Sequence, residues 1–348
     1  MKKSLLALAA LGAFAGTASA QSSVTIYGVL DQSIAKNSCD TNCALNPGAP
    51  SLKAWTIQSS TQSRLGFRGN EDLGGGLSAQ FQIEHRFNPD TGSTTTVTGN
   101  AATQAPFWNG KSIVQLTSAS LGSVFFGRDY TSPFWIQLKA DVFGNDGVGQ
   151  SGVIPLYAGF VPPDITNGAA ATAVGAKSSN MVGYKSPNIS GLTAQFIEAL
   201  SETSGLGRDN SFNVEYAAGP IYAGFAYEKV TKGSKDGQGV FNLAASYDLG
   251  FAKFGGYYAK AKTGANGTVS GKVWQLNATA PLGSGLLKAQ YYSVDPNDAV
   301  TNDKFKKIGI GYNYNLSKRT NLYFDMGFAK QDLKSNNNAY AFGLRHYF

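Results

Sequence analysis

The chain has 348 residues with 29 basic and 22 acidic side chains, a formal net charge of +7, and many glycines (42), phenylalanines (21) and tyrosines (17). After residue 20 no stretch approaches the roughly 18 consecutive apolar residues of a membrane-spanning helix, so a helical membrane protein is excluded. Two histidines, two cysteines and three methionines leave few candidates for metal binding or hydrolysis. A polar chain of this composition favours a β-barrel with a polar interior.

The N-terminus has the pattern of a secretory signal peptide. Met1-Lys2-Lys3 is basic, Leu5–Ala15 is apolar, and Ala18-Ser19-Ala20 supplies the small residues of a cleavage site. We therefore expect residues 1–20 to be removed and the mature chain, residues 21–348, to begin at Gln21. A single membrane anchor is disfavoured because the apolar core is short. Loss of Lys2 and Lys3 lowers the basic count from 29 to 27, which against 22 acidic residues gives a mature charge of +5.

The first predicted strand, Ser22–Lys36, alternates between an apolar and a polar face. The apolar face carries Val24, Ile26, Leu30 and Ile34, and the polar face carries Thr25, Tyr27 and Asp31. In the polar loop that follows, only three residues separate Cys39 from Cys43. In an oxidising compartment these two cysteines are expected to form a small local disulfide. A zinc site is disfavoured, since it needs about four ligands and no other Cys or His lies nearby.

A strand from about Trp55 leads into Ser63–Phe87, which predicts a β-hairpin. Two runs of period two flank the turn residues 70–76, whose glycines tolerate positive φ. The apolar face carries Leu65, Phe67, Ala79, Phe81 and Ile83. The polar face carries Arg64, Arg68, Gln80, Gln82, Glu84 and Arg86. By itself the hairpin also fits a soluble sandwich with solvated arginines, and the rest of the chain decides against that reading.

Lys111–Thr117 and Ser123–Arg128 form the next predicted strand pair. Arg128 falls in register with two apolar residues of its strand, and a bulge at Gly127 would turn its side chain to the polar face. From residue 129 to about residue 177 no strand alternation survives. A loop this long is either functional or a sign of wrong assignment, and its aromatic residues indicate that it packs against another part of the protein.

Beyond this loop the alternation continues through eleven predicted strands. They are Ser179–Ser186, Leu192–Glu202, Ser211–Ala218, Ile221–Val230, Val240–Leu249, Phe251–Lys262, Lys272–Pro281, Gly285–Val294, Lys304–Leu316, Thr320–Gln331 and Asn338–Phe348. Short and long connections alternate, as periplasmic turns and external loops of an outer-membrane barrel do. Five strands before the loop and eleven after it make sixteen, a size that leaves an aqueous channel. Aromatic residues near the strand ends favour girdles at the two lipid–water boundaries, although strand propensity also explains them.

The order of several short motifs adds a family resemblance. They are Ser23-Val24-Thr25-Ile26-Tyr27-Gly28, Ser63-Arg64-Leu65-Gly66-Phe67-Arg68-Gly69, Glu71-Asp72-Leu73-Gly74, Phe126-Gly127-Arg128, Ser186-Pro187-Asn188-Ile189-Ser190-Gly191 and Gly343-Leu344-Arg345-His346-Tyr347-Phe348. With them the chain resembles the trimeric general porins of Gram-negative bacteria, especially the β-proteobacterial and Neisserial type.

This resemblance implies an all-β, transmembrane antiparallel barrel of 16 strands that assembles as a homotrimer. It implies that the long third loop, about residues 129–177, folds into the lumen as a constriction. It also implies that the barrel-assembly machinery reads the terminal Phe348. The chain departs from the family in this loop, where residues 141–147 replace a clean acidic Pro-Glu-Phe-Gly-Gly pattern.

On this interpretation the chain is a passive channel for small hydrophilic solutes and ions, with a weak to moderate anion preference. The basic wall of the constriction is expected to contain Arg64, Arg68, Arg86 and Arg128, because arginine stays charged and rings of basic side chains favour anions. Asp141 and Asp146 are the expected acidic side on the loop, the alternative being that both are turn formers. Glu84, Asp31 and Lys139 are further lumen candidates.

Lysines near the predicted loops raise a second set of partners. Lys232, Lys235, Lys304, Lys306 and Lys307 lie there and either bind anionic lipopolysaccharide or are simply solvated. Outer-membrane lipid is an expected partner in either case.

Other functions are less consistent with the sequence. An outer-membrane hydrolase needs a well-placed histidine, but His85 has lipid-facing parity and His346 lies near the periplasmic end, so an enzyme is not expected. A substrate-specific channel and an adhesin that acts through its loops remain alternatives. The sequence contains no nucleotide, metal or haem signature, so neither a cofactor nor a nucleic-acid partner is expected.

Overall fold

The computed structural model describes residues 23–94, 107–151, 176–200, 208–232, 236–263, 269–295 and 304–348. The predicted signal peptide and cleavage site, and residues 152–175 of the predicted third loop, lie outside these ranges. Within them, the structure contains no helix that is both long and apolar enough to cross a membrane.

Within the described ranges, eighteen strands form one sheet. They are β1 (Ser23–Asn37), β2 (Thr56–Gln58), β3 (Arg64–Gly74), β4 (Leu77–Asn88), β5 (Ser93–Thr94), β6 (Ser112–Ser118), β7 (Gly122–Tyr130), β8 (Lys177–Lys185), β9 (Leu192–Ala199), β10 (Arg208–Ala218), β11 (Ile221–Thr231), β12 (Gly239–Asp248), β13 (Lys253–Thr263), β14 (Val269–Leu282), β15 (Gly285–Asp295), β16 (Phe305–Asn315), β17 (Thr320–Gln331) and β18 (Asn337–Tyr347).

Sixteen of these strands are long and build a closed antiparallel barrel. The other two, β2 and β5, have three and two residues. Each long strand pairs with the next one, and β1 pairs with both β3 and β18, so the sheet has no free edge. The prediction of a 16-strand antiparallel barrel is confirmed. The strand expected from Trp55 into the hairpin is shorter in the structure, where β2 is separate from β3.

The strands have two chemically distinct faces. In β1, Ile26 (59% exposed) and Ile34 (50% exposed) lie on one face, whereas Asp31 and Ser33 on the other face are buried. The same alternation recurs around the barrel, and we call these the apolar face and the polar face. An apolar face that stays exposed is what a lipid-facing barrel surface requires.

Long and short connections leave opposite ends of the barrel. The short ones are 75–76, 119–121, 186–191, 219–220, 249–252, 283–284 and 316–319. The start of β1 and the end of β18 both lie at this short-turn end. There the backbones of Gly28 and Phe348 exchange two hydrogen bonds of 3.1 and 3.2 Å. The long connections leave from the other end, as the alternation of loop lengths predicts.

A helix, α1 (Ser132–Ala140), begins the long segment for which strand alternation predicts no regular structure. Pro133 stands in its first turn, a position where proline is favoured because that N–H has no helical partner. Phe134 and Ile136 pack with Ala226, Ala244 and other buried residues on the polar faces of the strands β11–β17. This apolar patch differs from the uniformly polar interior expected from composition, because the helix needs an apolar surface to pack on.

Candidate functional site

Charged residues concentrate on the polar face of the hairpin β3–β4. The register places Arg64 directly opposite Arg86, and Glu84 lies opposite Gly66, two residues along β4 from Arg86 on the same face. The Glu84 carboxylate lies 2.8 Å from Arg86 Nε and 3.8 Å from Arg64 Nη1. Because like charges directly opposite each other repel, Glu84 offsets the repulsion that this register creates.

Arg86 is the most firmly held of these arginines. Its Nη1 donates to Gln62 Oε1 at 2.7 Å, its Nη2 donates to the Tyr130 hydroxyl, and its guanidinium carbon lies 5.7 Å from the Tyr130 ring centre. Only 10% of its side chain is exposed, against 28% for Arg64. Arg64 is therefore the more accessible of the two to a solute.

Arg128 follows a backbone irregularity in β7. Gly127 has φ of +126°, a conformation that favours glycine, and the pairing with β8 shifts register between Gly127 and Asp129. Arg128 Nη1 donates to Ser179 Oγ at 2.8 Å. The neighbouring Asp129 pairs with Lys111 at 2.8 Å. The expected bulge at Gly127 is thus present, and strict alternation fails at Arg128.

Two lysines next to this group were not singled out from the sequence. Lys111 has the same strand parity as Gln115 and Thr117, so alternation alone predicts that its side chain lies on the polar face. The Lys177 Nζ lies 5.0 Å from the Tyr130 ring centre. No pattern in the sequence marks Lys177, because it ends a long segment without alternation.

A recess of about 370 Å³ opens beside these residues. Its lining includes Arg68, Lys111, Gln80, Gln82 and Gln115. Arg68 lies over the Tyr27 ring at 5.5 Å, and the amide of Gln115 donates to Gln80 Oε1 at 3.1 Å. The wall therefore offers two cations and a row of amide groups to a polar solute.

Residues 131–151 contact the polar face on a distant arc of the barrel, β12 to β16. Side chains of these strands donate to backbone oxygens of the segment. The bonds are Asn242 to Pro133 (2.8 Å), Gln275 to Ala140 (2.7 Å), Gln290 to Gly149 (2.9 Å) and Lys307 to Gln150 (2.7 Å). Amide side chains at polar-face positions thus hold a segment that has few backbone partners of its own.

Two glycines let the backbone of this segment approach the strands closely. A Cβ atom added at Gly309 would lie 2.1 Å from the Gly149 oxygen, and one added at Gly327 would lie 2.0 Å from the Val148 oxygen. These distances are far shorter than any van der Waals contact, so neither position tolerates a larger residue unless the segment moves.

The two candidate aspartates on the segment lie in different surroundings. Asp141 accepts hydrogen bonds from its own loop: Oδ1 from the Phe143 N–H at 2.8 Å, and Oδ2 from the N–H and the hydroxyl of Ser151, both at 2.7 Å. It is 4% exposed. These bonds close a turn, which is the alternative considered for this residue.

Asp146 instead reaches the barrel wall. Its Oδ2 accepts from the Thr61 hydroxyl and lies 3.6 Å from Arg345 Nη1. Burial raises the pKa of the Asp146 carboxyl, while the nearby Arg345 guanidinium acts to lower it. Arg345 belongs to the C-terminal Gly343–Phe348 motif, and strand parity places it on the polar face.

Asp31 is the second partner of Arg345. Its Oδ2 lies 2.6 Å from Arg345 Nε, its Oδ1 accepts from the Tyr323 hydroxyl at 2.6 Å, and the Ser60 N–H donates to the same Oδ1 at 2.9 Å. Asp31 is fully buried. The residue therefore belongs to a buried network that joins the first and last strands.

Lys139, on α1, faces a different partner. It forms an ion pair with Glu215 and lies over the Tyr222 ring at 5.5 Å. This pairing neutralises the positive charge that Lys139 brings to the segment.

The first long connection also contacts the segment. Cys39 and Cys43 are joined by a disulfide, and Asn46 Nδ2, just beyond it, donates to the Gly327 and Asn337 oxygens at 3.1 and 2.8 Å. Lys307, predicted near a loop surface, is 1% exposed. Its Nζ donates to the Pro47 oxygen at 3.1 Å as well as to Gln150, so it connects the two long connections.

The two histidines have different neighbours. The His85 ring stacks on Phe107 with ring centres 4.1 Å apart, and its Nδ1 lies 2.5 Å from the Phe107 oxygen. His346 Nδ1 lies 2.9 Å from the Thr320 hydroxyl. Across the described ranges there is no group of three or more His, Cys, Asp or Glu residues placed to hold a metal ion.

Comparison with known proteins gives consistent results. A family profile described as "Gram-negative porin" matches residues 7–334. Outer membrane porin protein 32 of Delftia acidovorans is 34% identical over 99% of this chain and 93% of its own length. The solved structure of an anion-selective porin from Comamonas acidovorans is 28% identical with a TM-score of 0.76, covering 94% of this chain and all of that one. OmpT of Vibrio cholerae in its trimer form shares the fold at 16% identity, with a TM-score of 0.64 over 94% of this chain and 99% of that chain.

Proposed function

Because the chain belongs to the Gram-negative porin family, an outer-membrane family of channels, we propose that its barrel is a general diffusion pore with a preference for anions. Small hydrophilic solutes and ions pass along the polar face, which lines the lumen, and the apolar face contacts lipid. No catalytic step is part of this function.

The charge of the β3–β7 arc supports the anion preference. On the polar face of this arc, Arg64, Arg68, Arg86, Arg128 and Lys111 supply five positive charges, and Asp72, Glu84 and Asp129 supply three negative ones, so the formal charge is +2 (five minus three). Basic side chains along a pore lower the electrostatic barrier for anions and raise it for cations. The anion selectivity named for the Comamonas acidovorans porin agrees with this direction.

We propose that residues 129–177 form the constriction. The hydrogen bonds of residues 131–151 to the polar faces of β12–β16 support this proposal, because they place the segment across the barrel from the basic arc in strand order. Asp146 then supplies the acidic side, while Asp141 maintains the turn and Asp31 stays in its buried network with Arg345. Residues 152–175 complete the loop in this proposal.

Reversal potentials across planar bilayers in a salt gradient test the selectivity. We expect wild-type protein to prefer anions, and Arg64→Gln/Arg68→Gln to lower that preference by about twofold or more, since each open charge contributes on the order of 1 kcal/mol or less in a wet pore. Lys318→Gln, in an exposed turn, is the matched control. Cation preference in the wild type would overturn the proposal.

Liposome swelling distinguishes a general pore from a substrate-specific one. Uptake rates that fall smoothly with solute size, with no saturation, support general diffusion. Saturable uptake of a single solute would favour the specific channel instead.

Assembly and export are part of the same proposal. We propose a homotrimer, in keeping with the trimer form of the Vibrio cholerae relative in fold, with the signal peptide cleaved before Gln21 and Phe348 recognised by the barrel-assembly machinery. Conductance steps that arrive in threes support the trimer, and N-terminal sequencing of the mature protein tests the cleavage site.

A further inference from the structure

The first long connection, residues 38–55, is longer than its position in the barrel requires. It joins β1 to β2, and these two strands pair directly, with Ala35 opposite Thr56. Antiparallel neighbours need only about two to five residues to turn back, and a much longer loop usually either carries a function or has no structure of its own. The middle of this connection, residues 44–50, has a defined place inside the barrel, and we call it the inner segment.

The inner segment lies on the polar face of the strands that close the barrel. Asn46 Nδ2 donates to the backbone oxygens of Gly327 on β17 and Asn337 on β18, at 3.1 and 2.8 Å. Gly327 has the strand parity of the buried Asp325, so a Cβ atom added to it would point to the polar face. That atom would lie 3.0 Å from Asn46 Oδ1. Asn46 is therefore on the lumen side of the wall.

Small side chains on the wall make room for the inner segment. Strand alternation alone predicts polar side chains on the inner face of a water-filled barrel, but β1 and β18 have alanines at three such positions. Burial of their methyl groups against an apolar partner is favourable. Ala49 of the inner segment packs on the cluster of Ala35, Ala339, Ala341 and Val148.

Both ends of the inner segment are held in place. At its start, directly after the disulfide of this connection, the Ala44 N–H donates to the Ser335 oxygen at 2.7 Å. At its end, Asn37 Nδ2 donates to the Pro50 oxygen. With Asn46 bonded between these two points, the inner segment keeps one position on the wall.

The inner segment also touches residues 131–151. Lys307 Nζ donates to a backbone oxygen of each, at 3.1 Å for the inner segment and 2.7 Å for residues 131–151. A Cβ atom added at Gly48 would lie 2.1 Å from the Gly147 oxygen, so the two backbones are in direct contact. They therefore lie side by side at one level of the barrel.

Together the two segments lie over one half of the wall. Residues 131–151 bond to the polar faces of β12–β16, and the inner segment bonds to residues of β16, β17, β18 and β1. In the strand order of the sheet, β12–β18 and β1 are eight consecutive strands of the sixteen long ones. The basic arc β3–β7 belongs to the other half.

We propose that the inner segment is a second constriction element, which closes the lumen on the side of β16–β1 and directs solutes along the basic arc. It thereby sets the pore cross-section and strengthens the anion preference, because the interaction of an ion with fixed charges grows as their separation falls. The inference rests on the proposed function, in which the polar face lines the lumen and residues 131–151 narrow it.

Opposite charges placed on the inner segment test this role. Leu45 on the inner segment and Leu52 further along the same connection are both exposed, by 45% and 60%. In reversal potentials across a salt gradient, Leu45→Lys should raise the anion preference by about twofold, and Leu45→Glu should lower it by a similar factor. Leu52→Lys and Leu52→Glu are the matched controls and should change it less.

A shorter connection tests the effect on pore size. Replacement of residues 45–49 by two glycines keeps the disulfide, and the connection can still close because β1 and β2 are neighbours. Single-channel conductance should rise by about 1.5-fold or more, because the lumen widens on one side, and the anion preference should fall. Leu52→Gly/Ala54→Gly, which loosens only the exposed part of the connection, should conduct like the wild type.

Equal shifts at Leu45 and Leu52, or an unchanged conductance in the shortened variant, would overturn the proposal. The wild type separates this test from that of the proposed function. A wild type without anion-selective conductance contradicts the proposed function itself. An anion-selective wild type whose Leu45 variants and shortened variant all behave like it contradicts only the role of the inner segment.

Discussion

At the scale of single residues, the polar face contains charges that are held in place and charges that remain accessible. Arg86 is held by Glu84, Gln62 and Tyr130, and Asp141 by its own turn. Arg64 and Arg68 have fewer partners, and Arg68 borders the recess. A held charge contributes mainly to stability, whereas an accessible one acts on passing ions.

This difference predicts separate phenotypes for two neighbouring arginines. Arg86→Gln should lower the free energy of unfolding by about 3 kcal/mol, because it leaves the buried Glu84 without its closest cation. Arg68→Gln should lower anion selectivity and leave stability within about 0.5 kcal/mol of the wild type. Urea unfolding followed by tryptophan fluorescence, together with reversal potentials, measures both. Equal stability of the two variants would contradict the assignment.

Asp146 predicts a pH dependence of selectivity. Because burial raises the pKa of this carboxyl, it takes up a proton as the pH falls, at a pH above that of an ordinary aspartate. Protonation removes a negative charge beside Arg345 and close to the basic arc, so anion preference should rise on acidification, by about twofold for one charge in a wet pore.

Asp146→Asn should show the higher preference already at neutral pH and should lose that part of the pH dependence. Asp248→Asn, an exposed aspartate at the short-turn end, is the control. Reversal potentials recorded as the pH is lowered measure the effect. A pH profile that is unchanged in Asp146→Asn would show that other groups cause the dependence.

At the scale of elements, the segment 131–151 is positioned by the strands that it contacts. Side-chain amides bind its backbone, and small residues at Gly309 and Gly327 let it lie directly on β16 and β17. The first long connection, closed by the Cys39–Cys43 disulfide, lies against the same segment, and Lys307 donates to both. The two long connections and these strands therefore form one packed unit.

Substitution at these glycines should move the segment without unfolding the barrel. In Gly327→Val the new side chain would overlap the Val148 carbonyl, so the segment must shift, and we expect altered single-channel conductance with more current noise. In Gly256→Ala the added methyl group would meet its nearest atom at 3.6 Å, an ordinary contact, so conductance should stay as in the wild type. Unchanged conductance in Gly327→Val would contradict the proposed constriction.

At the scale of the whole molecule, the barrel closes where the first and last strands pair. Asp31 and Arg345 are directly opposite each other in this pairing, and their side chains form a buried ion pair at 2.6 Å. This ion pair thus joins residues more than 300 positions apart in sequence, at the strand pairing that closes the barrel. Closure removes the free edge that an open sheet would expose.

A double-mutant cycle at this junction tests its contribution. Asp31→Asn and Arg345→Gln should each destabilise the barrel by about 3 kcal/mol, because each leaves a buried charge without its partner. The double variant should be less destabilised than the sum, with a coupling of about 1 kcal/mol or more. Unfolding in urea measures all four proteins. Additive effects would mean that the pair does not couple the two strands.

Strand alternation and connection lengths are enough to predict the barrel, its strand number and the parity of nearly every side chain. Strand alternation has a period of two, so a residue's position in the strand decides its face. The same rule assigns the side chains of Lys111 and Arg345 to the polar face. It fails at Arg128, where the Gly127 bulge interrupts the period.

Where the long segments lie, and which charges stay accessible, depends on contacts between distant parts of the chain. Residues 131–151 have no period, and their partners come from strands more than 100 residues away, so no local pattern encodes the contacts. The sequence likewise named Asp141 and Asp146 together, but only their partners separate a turn former from a residue that reaches Arg345. Parity assigns a side chain to a face, whereas its accessibility depends on neighbours that folding brings together.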